Sequence, residues 1–372
     1  MPAVSEGFRT FLGHAFRLFP LRVETGLRIF GNPDENSPVF VTANYDLTVK
    51  RVSKYLKQMD CYLLVAQSGG VNVWCAAAAE AFTAHSIISV IETSRIANRV
   101  NHRKLILPAF SAPGINTRII AEETGWQCQF GPVYAKDIPA YVRSGFQKTE
   151  IMQRVKYDLL DRFDIALGCT LPFYFLILAF LLIFKQDWLF EFHVISFPLF
   201  FLMHGLQPYL PSKYGWGKIL SMEIAIAAIF LIYLLSSGGG SAYVNGCFTW
   251  ALIVTFLMGI DFAGFAPNMK GEADEVLIRL GVRKLWIFAL KGTEKGDFMV
   301  GAKKIHLDHE KCIACGLCFE ICPMGLYSKD NDQKAYRVDA SRCTACKACV
   351  VQCPTGAISL KESINIGETG VN

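Results

Sequence analysis

The stretch IALGCTLPFYFLILAFLLIF, residues 165–184, runs twenty residues without a charged side chain. A bilayer core roughly 30 Å thick takes about 20 helical residues, so this run predicts a transmembrane helix. Three further candidates follow, near 188–206, 216–235 and 242–261. Across 165–265 only seven residues are charged: Lys185, Asp187, Glu191, Lys213, Lys218, Glu223 and Asp261. The 207–218 loop carries Lys213 and Lys218 without an acid, the SSGGGSAYVNG loop is uncharged, and the flanks 148–162 and 270–291 are rich in Lys and Arg. Basic loops stay cytoplasmic. The pattern predicts about four spans over 161–266, a multi-pass protein of the cytoplasmic (inner) membrane, and soluble parts that face the cytoplasm.

Composition agrees with that division. Of 372 residues, 52% are hydrophobic and only 19% charged, a deficit that argues against a wholly soluble or disordered chain. The net charge of +5 comes with no basic run, which excludes a nucleic-acid partner on electrostatic grounds and leaves membrane lipid as the expected one. The opening MPAVSEGFRTFLGHAFRLFP has no continuous apolar core and does not read as a signal peptide. Within the spans, Glu191, His193, His204, Glu223 and Asp261 are costly in lipid and belong in a bundle interior or at its interfaces. They could line a path for an ion or product.

Upstream, residues 1–160 alternate short apolar runs with helical patterns. The runs VFVTA (39–43), CYLLVA (61–66), KLILPAF (104–110) and QCQFGPV (127–133) predict strands, with helices near 46–58, 75–94, 113–124 and 136–146. Such alternation predicts a parallel sheet of βαβ units. Neither G-x-G-x-x-G nor G-x-x-x-x-G-K-[ST] occurs, so a dinucleotide or P-loop site has no support.

Downstream, a connector over 267–303 leads to a cysteine-rich module over 304–372. Eight of the thirteen cysteines lie there, as Cys312-x2-Cys315-x2-Cys318-x3-Cys322-Pro323 and Cys343-x2-Cys346-x2-Cys349-x3-Cys353-Pro354. This is the spacing of bacterial ferredoxins with two [4Fe–4S] clusters, in which three thiolates of one run and the fourth of the other hold each cluster. One cluster is assigned to Cys312, Cys315, Cys318 and Cys353, the other to Cys343, Cys346, Cys349 and Cys322. A zinc site would need only four ligands. The expected work of the module is electron transfer.

One more segment stands out in the first region: Asn72-Val73-Trp74-Cys75-Ala76-Ala77-Ala78-Ala79-Glu80 follows a strand and the turn Ser68-Gly69-Gly70. A cysteine opening a helix has its thiolate favoured by the dipole, which predicts a lowered pKa. The alanines would leave a flat surface beside the sulfur. The plainer reading is a small buried hydrophobe, and the same holds for Cys61, Cys128, Cys169 and Cys247.

NVWCAAA, with VTANYDLT (41–48), HRKLILPAFSAPGI (102–115) and GPVYAKDIPAYV (131–142), resembles the corrinoid domain of the mercury-methylation corrinoid proteins, relatives of the large subunit of the corrinoid iron–sulfur protein. The likeness runs over about residues 20–265. Residues 304–360 resemble that family's separate ferredoxin partner, so the chain looks like a fusion of the two. The resemblance implies an α/β Rossmann-like corrinoid domain, an α-helical transmembrane bundle and a small α+β two-cluster ferredoxin domain. It implies that Cys75 is the lower axial ligand of cobalt, with Asn72, Val73, Trp74, Cys75, Ala76 and Ala77 binding the cofactor. It also implies a corrinoid-dependent methyltransferase in which the ferredoxin domain reduces cobalt. A methyl-donor enzyme using methyltetrahydrofolate or a pterin analogue and a cellular electron donor would be its partners, and Hg(II) the precedent among soft acceptors. Two departures are visible. Ala78 and Ala79 stand where the family has Gly and Lys, and no cysteine follows Cys353. They keep open a non-mercury acceptor, such as a metalloid, a thiol or a one-carbon carrier. A membrane electron-transfer protein without methyl chemistry remains the other class.

Overall fold

The computed structural model describes residues 21–156, 158–211, 215–239, 241–264, 303–329, 336–338 and 346–362. Cys343 and the connector therefore lie outside the described residues, as do the side chains of Cys169 and Asp261. The chain divides into two compact units, one holding the four long apolar helices and the other holding the α/β domain together with the cysteine-rich module.

In the second unit the elements run β1 (Gly26–Phe30), β2 (Val39–Ala43), α1 (Asp46–Leu56), β3 (Cys61–Ala66), α2 (Val73–Ala78), α3 (Ala84–Ser94), β4 (Lys104–Leu107), α4 (Thr117–Thr124), β5 (Gln127–Phe130), α5 (Ile138–Arg143) and α6 (Glu150–Gln153). The sheet order is β1-β3-β2-β4-β5. The four apolar runs read from the sequence pair in parallel as expected. The edge strand β1 is new, and it runs antiparallel to β3. Its GLRIF is short and half-exposed, with Ile29 facing solvent, so it lacks the all-apolar signature of a covered strand.

Central strands β2 and β3 are buried at every position, which requires cover on both faces. Alternation sorts their side chains. Val39, Val41, Leu64, Leu105 and Leu107 pack with Ile87, Ile91, Ile120 and Trp126 on one face. Phe40, Leu63, Val65 and Ile106 pack with Val49, Leu56, Ile138 and Tyr141 on the other. The domain is doubly wound, and its parallel strands reverse their spatial order between β2 and β4, the point where such sheets open a crevice at their carboxyl edge.

The helix expected over 75–94 is two helices. Glu80 takes a left-handed φ of 56°, Ala81 N and Phe82 N both donate to Ala76 O, and Thr83 opens a capping box with Ser86. Phe82, fully buried, anchors the break. Alanine propensity favoured continuation, but the buried phenylalanine and the cap decide otherwise.

The other unit holds α7 (Leu159–Phe184), α8 (Leu189–Leu206), α9 (Gly215–Ser237) and α10 (Ala242–Gly264). They lie where the four spans were expected. Among the described residues, Gln186–Tyr209 and Gly217–Ser237 are long and apolar enough to cross a membrane, with mean hydropathy 1.5 and 2.3; Tyr174–Phe184 and Ala242–Phe256 are shorter apolar stretches.

The cysteine-rich module returns to the sheet-bearing unit with β6 (Lys303–Leu307), α11 (Leu317–Ile321), β7 (Tyr327–Lys329), β8 (Tyr336–Val338), α12 (Ala348–Gln352) and β9 (Ile358–Glu362). Antiparallel pairs β6–β9 and β7–β8 frame the two short helices. Ile321 and Ala348, one from each helix, are buried in the same core as β2 and α3. Phe82→Ala should weaken the α/β domain by about 3–5 kcal/mol, read as denaturant-dependent hydrogen exchange of the β3 amides. An unchanged profile would mean that the break between α2 and α3 is not anchored by this ring.

Candidate functional site

Three segments meet at the carboxyl edge of the sheet: the turns after β2, β3 and β4. Asn44 joins the first two. Its side chain is buried, and its Oδ1 accepts hydrogen bonds from Ser68 N (2.9 Å), Ser68 Oγ (3.0 Å) and Gly70 N (3.1 Å). Its Nδ2 donates to Val23 O at 3.2 Å. Ser68 Oγ also lies 2.9 Å from Val71 O, so its single proton serves either that carbonyl or Asn44 Oδ1, and Arg22 Nε donates to Gly69 O at 2.9 Å. Gly69 and Gly70 have φ of 73° and 75°, and a Cβ on Gly70 would fall 2.3 Å from the Arg22 side chain. This turn sets the start of α2. Asn44 was not singled out from the sequence beyond its place in VTANYDLT; an Asn ending a buried strand was the available signal.

Asn72 caps α2. Its Oδ1 accepts from Cys75 N at 2.9 Å, and its Nδ2 donates to Cys75 Sγ at 3.3 Å. Cys75 keeps part of its surface open. Its pKa departs from the expectation. Burial raises it, outweighing the Asn72 side chain and the Cys75 N–H, both of which lower it. A six-residue helix carries little dipole, and the surrounding protein disfavours the thiolate more.

The alanine run also resolves. Val73, Ala76 and Ala77 turn into the core, so of the expected cofactor residues they touch a ligand at most through backbone. Asn72, Trp74, Cys75 and Ala78 are the partly exposed ones. Trp74 sets its ring edge-on to Phe110, centroids 5.4 Å apart. Its Nε1–H is buried with no partner among the described residues. A shielded N–H donor of this kind fits a ligand that brings an acceptor. Gly69 is open on its outer side, with nothing within 4 Å of the position a Cβ would take, and this leaves room for a broad face.

From the β4 side, the loop after Pro108 closes on α2. A Cβ on Gly114 would lie 2.3 Å from Ala77 O, so only glycine lets this loop reach the helix. The same loop meets the cysteine-rich module. Gln352 Nε2 donates to Ala112 O and Ile115 O, and Thr117 Oγ1 donates to Gln352 Oε1 at 2.9 Å.

In that module Cys322 and Cys349 are buried with Leu326, Tyr327 and Ile358, and Cys312, Cys318 and Cys353 pack against them. Cys315 is exposed and Cys346 packs toward the α/β core. Each fourth cysteine is followed by a turn whose N–H groups reach its sulfur. Burial raises Cys322 against the N–H groups of Leu326, Met324 and Gly325. At Cys353 burial also pulls upward, but the N–H groups of Ile358, Thr355 and Ala357, with the Thr355 hydroxyl, prevail and lower it. Soft sulfur donors in an apolar pocket, with N–H groups aimed at them, suit an iron–sulfur cluster. Among the described residues no three His, Cys, Asp or Glu side chains stand close enough for a single metal ion; a cubane cluster holds its sulfurs farther apart than one ion does. Cys61 and Cys128 are packing residues, each thiol pushed up to about 12 by burial.

Known proteins resemble these two regions separately. A family model described as the CO dehydrogenase/acetyl-CoA synthase delta subunit matches residues 17–142, and a 4Fe-4S dicluster domain matches residues 311–357. The acetyl-CoA decarbonylase/synthase complex subunit gamma of Methanopyrus kandleri is 37% identical over 125 residues, 33% of this chain and 27% of that one. Its counterpart in Methanocaldococcus jannaschii is 37% identical over 132 residues, 35% and 26% of the two chains. The corrinoid/iron-sulfur protein large subunit of Moorella thermoacetica is 33% identical over 127 residues, 34% and 28%. The chain spans about a quarter of the length of these relatives. The likeness to these corrinoid and acetyl-CoA synthase proteins is thus confined to the α/β domain.

Alkylation of Cys75 by iodoacetamide, followed by mass spectrometry across pH, should show a midpoint above that of an ordinary thiol, because burial disfavours the charged form. Asn72→Ala removes a donor to the sulfur and should move the midpoint higher still, while costing about 1 kcal/mol of helix capping. A midpoint below the ordinary thiol range would refute the burial argument.

Proposed function

We propose that this chain is a membrane-bound methyl carrier and methyltransferase. Cys75 would hold the cobalt of a corrinoid, and the cysteine-rich module would hold two [4Fe–4S] clusters and supply electrons to it. The observation that carries the reading is the placement of a partly open Cys75 at the carboxyl edge of the sheet, with an iron–sulfur type module docked on the loop that touches its helix. The printed name of the Moorella thermoacetica relative joins corrinoid and iron–sulfur chemistry in one protein, which supports the pairing.

When bound, the corrinoid supplies a cobalt-held methyl group and a metal that must be reduced before each remethylation. Cys75 supplies the sulfur ligand. Its thiol is protonated at neutral pH because burial raises its pKa, so ligation releases that proton to solvent. The Asn72 amide, donating to Sγ, draws off part of the sulfur's electron density and fixes its direction. Trp74 Nε1–H, buried and without a partner among the described residues, would be available to an acceptor that the ligand brings. A thiolate at Cys75 would supply electron density to a bound metal, the property a soft electrophilic acceptor calls for. Hg(II) is the acceptor that the family resemblance names.

The helix unit supports a membrane anchor. Leu176, Phe190 and Leu235 are more than 70% exposed, while Ser196 and Thr255 are fully buried. Trp250 Nε1 donates to Ser196 Oγ at 2.9 Å inside it. Apolar side chains outside and polar ones within invert the arrangement of a soluble bundle and match one bathed in lipid.

A second acceptor class is favoured by the relatives themselves. Two are named as subunits of an acetyl-CoA decarbonylase/synthase complex, which suits delivery of the methyl group to another one-carbon centre.

The deciding experiment loads anaerobically purified protein with a methylated corrinoid, adds Hg(II) and reductant, and measures methylmercury and bound cobalt against Cys75→Ala. Loss of both in Cys75→Ala is the expected result. Full activity in that variant would refute the role of Cys75. Cobalt held through Cys75 without methylmercury would keep the corrinoid role and exclude Hg(II) as the acceptor.

A further inference from the structure

We propose that Gln352 is a positioning residue: it latches the second cysteine run onto the Ala112–Thr117 loop, so that electrons pass from the module to the Cys75 site within one chain. The proposal rests on the corrinoid reading above for its electron acceptor, but the latch itself does not.

Gln352 is 5% exposed, unusual for a glutamine at a helix end. Both of its N–H donors and one acceptor site are used at this interface. Nε2 serves two carbonyls, Ala112 O at 2.9 Å and Ile115 O, and Oε1 accepts from Thr117 Oγ1. The neighbouring residues reinforce the seat. Arg118 Nη1 donates to Pro354 O at 3.2 Å. At the first run, Val155 N donates to Pro323 O at 3.0 Å and Lys148 Nζ to Glu320 O at 3.4 Å. The proline that follows each run's fourth cysteine thus has its carbonyl held by the α/β domain. Ile321 and Ala348 complete the seat by burying in the domain's own core.

A short chain of contacts results. Cys353 is bonded to Gln352, Gln352 grips the loop at Ala112 and Ile115, and Gly114 of that loop lies against Ala77, two residues along α2 from Cys75. Every link in it is uncharged. In the step it serves, one electron leaves a reduced cluster and one enters the corrinoid metal. A low-potential one-electron carrier of the cell then restores the cluster. A glutamine suits this seat better than a glutamate, whose carboxylate would face two carbonyl oxygens.

The test uses the full chain in detergent with its clusters and corrinoid reconstituted. Gln352→Met keeps the length and removes both donors; Thr117→Val removes one bond and guards against a Gln352→Met that fails to fold. Iron content and cluster absorbance should stay unchanged. Amide exchange over 112–117 should rise about tenfold in Gln352→Met and less in Thr117→Val, as expected for loss of buried hydrogen bonds. Reduction of the bound corrinoid by the prereduced clusters should slow about tenfold, because only the docked fraction transfers. Oxidation of the same clusters by an added soluble dye should keep its rate. That split separates a positioning role from a structural one. Unchanged exchange in both variants overturns the latch, whether or not the protein holds cobalt. Raised exchange with unchanged corrinoid reduction overturns its part in electron transfer. Failure of the corrinoid reading shows separately, as wild-type protein that takes up no cobalt while its 112–117 amides still depend on Gln352.

Discussion

The site depends on one buried amide. Asn44, just after β2, brings its Oδ1 against two N–H groups of the turn after β3, those of Ser68 and Gly70. Leaving those donors unpaired in a dry interior would cost about 1–3 kcal/mol each. The turn can therefore adopt the left-handed pair Gly69 and Gly70 and still be satisfied. Its geometry sets where Asn72 caps α2, and Asn72 in turn sets the direction of the Cys75 sulfur. A parallel sheet with helices on both faces needs such a tie, because its functional residues sit on turns rather than on the strands.

The second organising contact is the seat of the cysteine-rich module. Hydrophobic burial of Ile321 and Ala348 supplies adhesion without direction. The hydrogen bonds of Gln352 supply direction, since an amide can satisfy two carbonyls and a hydroxyl in only one arrangement. The cysteine-rich module and the Cys75 loop thereby belong to one compact unit, although some 240 residues separate Gln352 from Ala112 in sequence. The intervening helices leave the unit and the chain returns to it.

Electrostatics at Cys75 run against the simplest expectation. A short helix offers a weak dipole, while the packed core beneath Ala76 and Ala77 raises the cost of charge. The free thiol is thereby kept protonated and unreactive. A soft metal that replaces the proton removes the penalty, which suits a ligand sulfur better than a nucleophile.

Much of this was legible in the residues. Doubled Cys-x2-Cys-x2-Cys-x3-Cys-Pro spacing states its chemistry because ligand geometry constrains sequence spacing directly. Apolar runs state β2, β3 and β4 because covered parallel strands need apolar side chains on both faces, while β5, QCQF, sits at the sheet edge and is half-exposed. Charge-free stretches of some twenty residues state the long helices for the same kind of reason. Edge strand β1 was not legible, since a half-exposed five-residue strand is held by its neighbour's hydrogen bonds rather than by its own pattern. Nor was the break before Ala84, where the alanines favour helix and the burial of Phe82 with the Thr83 cap stops it. Which alanines face a ligand, the raised pKa of Cys75, the role of Asn44 and the grip of Gln352 all arise from groups distant in the chain. Local residue type and spacing determined the elements and the ligand chemistry; desolvation and long-range hydrogen bonding, which exist only once the chain is packed, decided how the site is aimed.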